Sequence, residues 1–186
     1  MRIISGAHRG HPLRTPAGDA TRPTSDRVRE SLFSSLASLD VLDGAVVLDV
    51  FAGSGALGLE ALSRGAASAV FIERAQPVSR IITANIRALG VGDRAEVITR
   101  AAAAALAERP PASADLVLVD PPYPLGEAEV TGILALLVPV LRDAEAVVVL
   151  ERSSRSPEPT LPEGLEIFRD RTMGETRLWF LQLTAD

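Results

Sequence analysis

Asp120-Pro121-Pro122-Tyr123 stands directly after the apolar run Leu116-Val117-Leu118-Val119. Two consecutive prolines fix φ and remove two backbone donors, so the loop offers a rigid row of acceptors. An exocyclic amino group placed there meets acceptors only. Its two N–H groups can donate to the Asp120 carboxylate and the Pro121 carbonyl, which localises a lone pair otherwise spread into a ring and aims it at an electrophile. Positioning of this kind accelerates a displacement without a strong base. Tyr123, the single tyrosine of the chain, then supplies an aromatic face for a base turned out of its stack. The plainer alternative is a strand-to-loop break with a solvated carboxylate and a tyrosine packed on the surface.

A second constellation lies upstream, in Asp49-Val50-Phe51-Ala52-Gly53-Ser54-Gly55-Ala56-Leu57-Gly58. Gly53, Gly55 and Gly58 satisfy the G-x-G-x-x-G pattern, and Glu73 follows Gly53 by twenty residues, the spacing of a nicotinamide-dinucleotide site. A dehydrogenase is therefore one reading. Asp49 favours another, because a carboxylate at the strand end repels a pyrophosphate and attracts the ammonium or sulfonium of S-adenosylmethionine. Glu73, closing the next strand, can accept both ribose hydroxyls of either ligand. The candidate cofactor-binding residues are Asp49, Ala52, Gly53, Gly55 and Glu73, and the candidate catalytic residues are Asp120, Pro121 and Tyr123.

These side chains need a scaffold that brings strand ends together. From residue 45 the chain alternates strands with helices: strand 46–51, helix 57–64, strand 69–73, helix 78–89, strand 96–99, alanine-rich helix 101–108, strand 116–119, helix 127–141 and strand 146–150. Such alternation implies right-handed crossovers and a parallel sheet with helices on both faces. Ligands bind such sheets at the carboxyl ends of the strands, where both constellations fall. Residues 165–170 and 177–183 are consecutive strands joined by Met173-Gly174-Glu175, an antiparallel hairpin that completes the sheet. The class is α/β: seven strands, mostly parallel, with an antiparallel C-terminal pair.

Upstream of this domain, residues 2–5 and 11–14 read as a short β-hairpin turning at Gly6 and Gly10, with His8 and His11 as surface loop histidines. Residues 16–23 form a turn-rich connector. Thr24 or Ser25 then caps a helix whose Val28, Leu32, Leu36 and Leu39 recur at spacings of three and four, leaving Arg27 and Arg29 on other faces to meet a phosphate. The division expected is an extension over 1–24 and a main domain over 25–186.

The net charge of −5 argues against a nucleic-acid partner until its distribution is considered. All 19 basic residues are arginine, and residues 1–30 hold six of them against three acids. A basic segment on an acidic body can still bind phosphates locally, because screening confines the field to about 8–10 Å. A chance cluster on a solvated surface is the alternative. With no cysteine, disulfide frameworks and thiolate metal sites are excluded, and no metal is expected. The N-terminus lacks the apolar stretch of a secretory signal, and the longest apolar runs are shorter than the roughly 20 residues that span a bilayer, so a cytoplasmic place is expected.

Asp49, the glycine loop, Glu73 and Asp120 to Tyr123, in that chain order, resemble the class I methyltransferases. Arg2-Ile3-Ile4-Ser5-Gly6, Arg9-Gly10 and Arg22-Pro23-Thr24-Ser25-Asp26-Arg27-Val28-Arg29-Glu30 narrow the resemblance to the bacterial RsmD family, which methylates guanine N2 in small-subunit ribosomal RNA, and the match covers nearly the whole chain. The resemblance implies a Rossmann-like methyltransferase domain, S-adenosyl-L-methionine as cofactor, and 16S rRNA in the small subunit or its assembly intermediate as partner. By position, Asp49, Gly53 and Glu73 would hold the cofactor and Asp120 to Tyr123 the guanine, with Pro122 and Tyr123 against the RNA; Arg9, Arg22 and Arg27 are the candidate phosphate contacts. One departure is that many class I enzymes carry an acid after the third strand to hold the adenine amino group, where this chain reads Thr99-Arg100-Ala101-Ala102. Adenine-N6 and protein-amide methyltransferases share the Asp-Pro-Pro-Tyr signature. An NAD-dependent dehydrogenase and a non-catalytic rRNA-binding assembly factor are the readings from other classes.

Overall fold

Runs of valine, leucine and isoleucine make the central strands apolar on both sides, and helices cover both sides. The computed structural model describes residues 1–16, 26–122 and 125–185. In chain order the elements are α1 (Asp26–Ser38), β1 (Val46–Val50), α2 (Ala56–Ser63), β2 (Ser68–Ile72), α3 (Gln76–Leu89), β3 (Ala95–Ile98), α4 (Ala102–Leu106), β4 (Leu116–Val119), α5 (Glu127–Leu137), β5 (Val147–Ser153), β6 (Leu165–Met173) and β7 (Thr176–Leu183). They build one seven-stranded sheet in the order β3-β2-β1-β4-β5-β7-β6. β1 to β5 pair in parallel, and β7 lies antiparallel to both β5 and β6. The strand order reverses between β1 and β4, which opens a crevice at their carboxyl ends.

Side chains alternate across the pleat. Val47, Phe71, Leu116, Leu118 and Phe180 face a core shared with α1, α2 and α3, whereas Leu48, Ile72, Val117, Val119 and Trp179 face α4 and α5. Asp49 follows the first parity and therefore points toward α2. α5 stops at Leu137 rather than at 141, since Pro139 has no N–H to bond the carbonyl of Ala135. β5 runs on to Ser153, past the polar Glu151 and Arg152, because it pairs there with Leu178 to Thr176 of β7.

The expected N-terminal hairpin reduces to a single antiparallel bridge between Arg2 and Pro12, with the Ile3 N–H donating to His11 at 2.9 Å and the Leu13 N–H to Met1 at 3.0 Å. Residues 1–16 form an arm whose Ile3 and Leu13 are buried in the core they share with α1 and α2. The expected connector beyond Pro16, the cap at Thr24 or Ser25, and the boundary between 24 and 25 lie outside the described residues. Among those described, no helix is long and apolar enough to cross a membrane, and no group of acids and histidines could hold a metal ion.

Candidate active site

The glycine loop leaves β1 in a tightly constrained path. Phe51 holds φ at +65°, a left-handed value uncommon for a residue with a Cβ, and Gly53 and Gly55 follow at +56° and +79°. A left-handed aromatic residue at the mouth of a crevice is a point of stored strain of the kind functional sites retain. A Cβ on Gly53 would come no closer than 4.0 Å to the Phe51 carbonyl, so the space beside this residue is open toward the crevice. Gly58 serves packing: a Cβ there would meet the Phe71 ring at 2.4 Å. The helix–strand contact that the third glycine allows is thus the reason for its position.

Side chains lock the loop from three directions. Asp49, 1% exposed, accepts the N–H of Gly58 at 2.9 Å and so satisfies a free donor in the first turn of α2. Glu73 accepts the Gly53 N–H at 3.1 Å and the Ala75 N–H at 2.8 Å. Asn85 of α3, also 1% exposed, donates from Nδ2 to the Ser54 carbonyl at 3.0 Å. The same Nδ2 donates to the Arg14 carbonyl at 3.0 Å, and Oδ1 accepts the Arg14 N–H at 2.8 Å. One buried amide therefore joins the glycine loop to the N-terminal arm.

Electrostatics at the crevice run in one direction. Burial pushes the Asp49 carboxyl up to about 8; the Gly58 N–H opposes this, and the carboxylates of Asp120 and Glu73 add to it. Three acidic side chains thus converge, and a cation among them would restore the ionised form of Asp49. In the free protein the sign of the linkage is that the proton on Asp49 favours folding. That stabilisation, fully present below the ordinary carboxylate range, is lost as pH rises through about 8.

The second loop follows β4, which pairs with β1 through Val50 and Val119, so Asp120 emerges beside the start of the glycine loop. Asp120 is half-buried and Pro121 buried, while Pro122 is exposed. The Pro122 carbonyl accepts the Leu125 N–H at 2.9 Å, which leaves the Pro121 carbonyl as the acceptor nearer Asp120 along the chain. Arg152 of β5 donates to the Leu125 carbonyl at 3.3 Å and pairs with Glu127 at the start of α5, holding the far side of this loop. Tyr123 lies outside the described residues, as does Arg22.

The other arginines anticipated as phosphate contacts separate. Arg27 is exposed in the first turn of α1. Arg9 is exposed in the arm's turn, but that turn is fixed over the C-terminal end of α2, where the Ala7 N–H meets the Ser63 carbonyl at 2.7 Å and the His8 N–H meets Ser63 Oγ at 3.0 Å. Arg9 thus stands about 12 Å, the length of the 8-residue α2, from the crevice. Arg29 requires correction: it is not free for phosphate but 0% exposed, donating to the Arg2 carbonyl at 2.6 Å and to Asp26 at 2.9 Å. Its place in α1 turns it under the arm, and burial lowers its pKa against the pull of Glu60 and Asp26.

Sequence reasoning missed Asn85, Glu60 and Arg152. Glu60, buried in α2, accepts the N–H groups of Ile4 at 2.8 Å and Ser5 at 3.0 Å and the Nε–H of Arg64 at 2.7 Å. A signal existed for two of them. Asn85 lies on the apolar stripe of Ile82, Ile86 and Leu89, and Glu60 is the single polar residue between Ala56 and Leu62, so each had to find a buried partner. Nothing local marks Arg152.

The family model described as Conserved hypothetical protein 95 matches residues 1–182. The chain is 41% identical over 185 residues to the ribosomal RNA small subunit methyltransferase D of Escherichia coli K12, covering 100% of this chain and 91% of that protein. It is 34% identical to the Haemophilus influenzae protein of the same name, covering 94% and 89%. The solved structure of the yhhF protein of Escherichia coli superposes with a TM-score of 0.86 at 36% identity, covering 100% of this chain and 99% of that one.

Proposed function

The chain belongs to the RsmD family of methyltransferases, and from that premise we propose that it transfers a methyl group from S-adenosyl-L-methionine to the exocyclic N2 of a guanine in 16S rRNA. The observation that carries the choice of methyl donor is the buried Asp49 carboxyl at the crevice, which burial, with the lesser addition of Asp120 and Glu73, leaves protonated up to about 8 unless a cation joins it. A sulfonium with an α-ammonium group supplies that cation, and a dinucleotide pyrophosphate would add to the repulsion. The glycine loop suits the same ligand, since the space beside Gly53 is open. Bound there, S-adenosylmethionine supplies an electrophilic methyl carbon.

The chain's own residues do the rest. Asp49, Ala52, Gly53 and Gly55 hold the amino-acid end of the donor, and Glu73 accepts ribose hydroxyls with the lone pairs its two backbone donors leave over. The Asp120 carboxylate and the Pro121 carbonyl accept the two N–H groups of the guanine amine and direct its lone pair along the line of displacement. Asp120 is also an acceptor for the proton the nitrogen sheds. Tyr123 is assigned the stacking face for the flipped guanine, and Arg22 a phosphate contact, on sequence position alone. The segment 1–24 is assigned to RNA contact, with Arg27 beside it.

The test is transfer of a labelled methyl group to small ribosomal subunits prepared without this modification, with naked rRNA and DNA alongside and nucleoside analysis of the product. Label in N2-methylguanosine of 16S rRNA is the expected result. Label in N6-methyladenine, in protein, or in none of these refutes the assignment.

A further inference from the structure

We propose that the N-terminal arm and the outward face of α3 form one RNA-docking surface, on which Arg80 and Arg87 contact phosphates flanking the base held at Asp120. The inference rests on the RNA reading above and extends it to a helix that neither the sequence motifs nor the arm identify. α3 turns Ser79, Ile82, Asn85, Ile86 and Leu89 into the protein, and Arg80 and Arg87 lie exposed on the other side. Seven residues apart, they fall within about 20° of one face and about 10 Å along the axis. Neither has an acidic partner within salt-bridge distance among the described residues.

The charge pattern selects the ligand. Residues 1–16 and 76–89 contain five arginines and none of the chain's 24 acids, which leaves 14 arginines against 24 acids elsewhere. The two acid-free stretches are contiguous in space because Asn85 of α3 pairs with the backbone of Arg14. The surface also reaches the crevice: α3 begins just after Glu73, and the same Asn85 holds Ser54 of the glycine loop. A polyanion laid across this face meets the arginines of the two stretches and no acid from either, and displacing its counterions provides affinity without sequence readout. A solvated helix face that merely aids solubility would lack that linkage to salt.

The experiment measures the KM for unmodified small subunits over a series of monovalent salt concentrations at fixed Mg2+. It compares the wild-type chain, R80Q/R87Q, and the charge-matched control R109Q/R142Q, whose sites follow α4 and α5 on the other face of the sheet. R80Q/R87Q should raise KM about tenfold at physiological salt and make the slope of log affinity against log salt shallower by about 1.5, at 0.7–0.9 per lost phosphate contact. Its kcat at saturation and its S-adenosylmethionine affinity should stay within twofold, and the control should keep the wild-type slope. An unaltered slope in R80Q/R87Q, an equal change in the control, or an equal loss of donor affinity overturns the proposal. Absence of transfer by the wild-type chain refutes the underlying RNA reading instead.

Discussion

The loops after β1 and β4 meet at one crevice and are rigid for opposite reasons. The glycine loop is flexible by composition and is locked from outside, by Asp49 on Gly58, Glu73 on Gly53 and Asn85 on Ser54. The Asp-Pro-Pro loop is stiff by composition and is tied mainly at its far end, through Leu125 and Arg152. The first spends its backbone donors inside the protein and leaves open space; the second removes donors and leaves acceptors. A site that must cradle a donor molecule and also orient an amine can thus be divided between two strand ends, one serving affinity and the other serving chemistry.

That division breaks most visibly at Asp120. Asp120→Ala should lower methyl transfer at saturating substrates by a factor on the order of a hundred to a thousand, while calorimetry shows S-adenosylmethionine binding within threefold of wild type. A parallel loss of donor affinity would mean that the two loops are not separable. A smaller effect sharpens the other half. Asn85→Asp keeps an acceptor for Arg14 but loses both donors, so donor affinity should fall about tenfold with kcat at saturation little changed. The reverse pattern, intact affinity with a depressed kcat, would move Asn85 to the chemical side of the crevice.

The sequence made the alternation of strands and helices readable because each central strand is covered on both faces and because Gly65, Gly90 and Pro139 mark the ends of α2, α3 and α5. It also marked the strand-end positions of Asp49, the glycines and Asp120-Pro121, which the fold brings to one crevice. What it hid depends on contacts distant in the chain. Arg29 looks like a surface cation until the arm lies over it, and its partner carbonyl on Arg2 is 27 residues away. The polar end of β5 becomes a strand only through β7, and that extension is what brings Arg152 to the second loop. The arm itself carries little β-propensity in its Gly/His/Arg turn. Buried side chains 55 and 56 residues on, Ser63 and Glu60, set its path where strand pairing does not.

The central claim is that this crevice is built for a cationic methyl donor, and titration of the wild-type chain and Asp49→Asn with S-adenosylmethionine and with NAD between pH 6 and pH 9 tests it most directly. Because Asp49 must ionise to hold a cation and its carboxyl sits at about 8 in the free protein, wild-type affinity for S-adenosylmethionine should rise with pH and level off above about 8, with a proton released on binding. Asp49→Asn should bind more weakly and lose that pH dependence, and NAD should not saturate either protein. Saturable NAD binding, or an S-adenosylmethionine affinity that is equal in both proteins and flat with pH, would contradict the account.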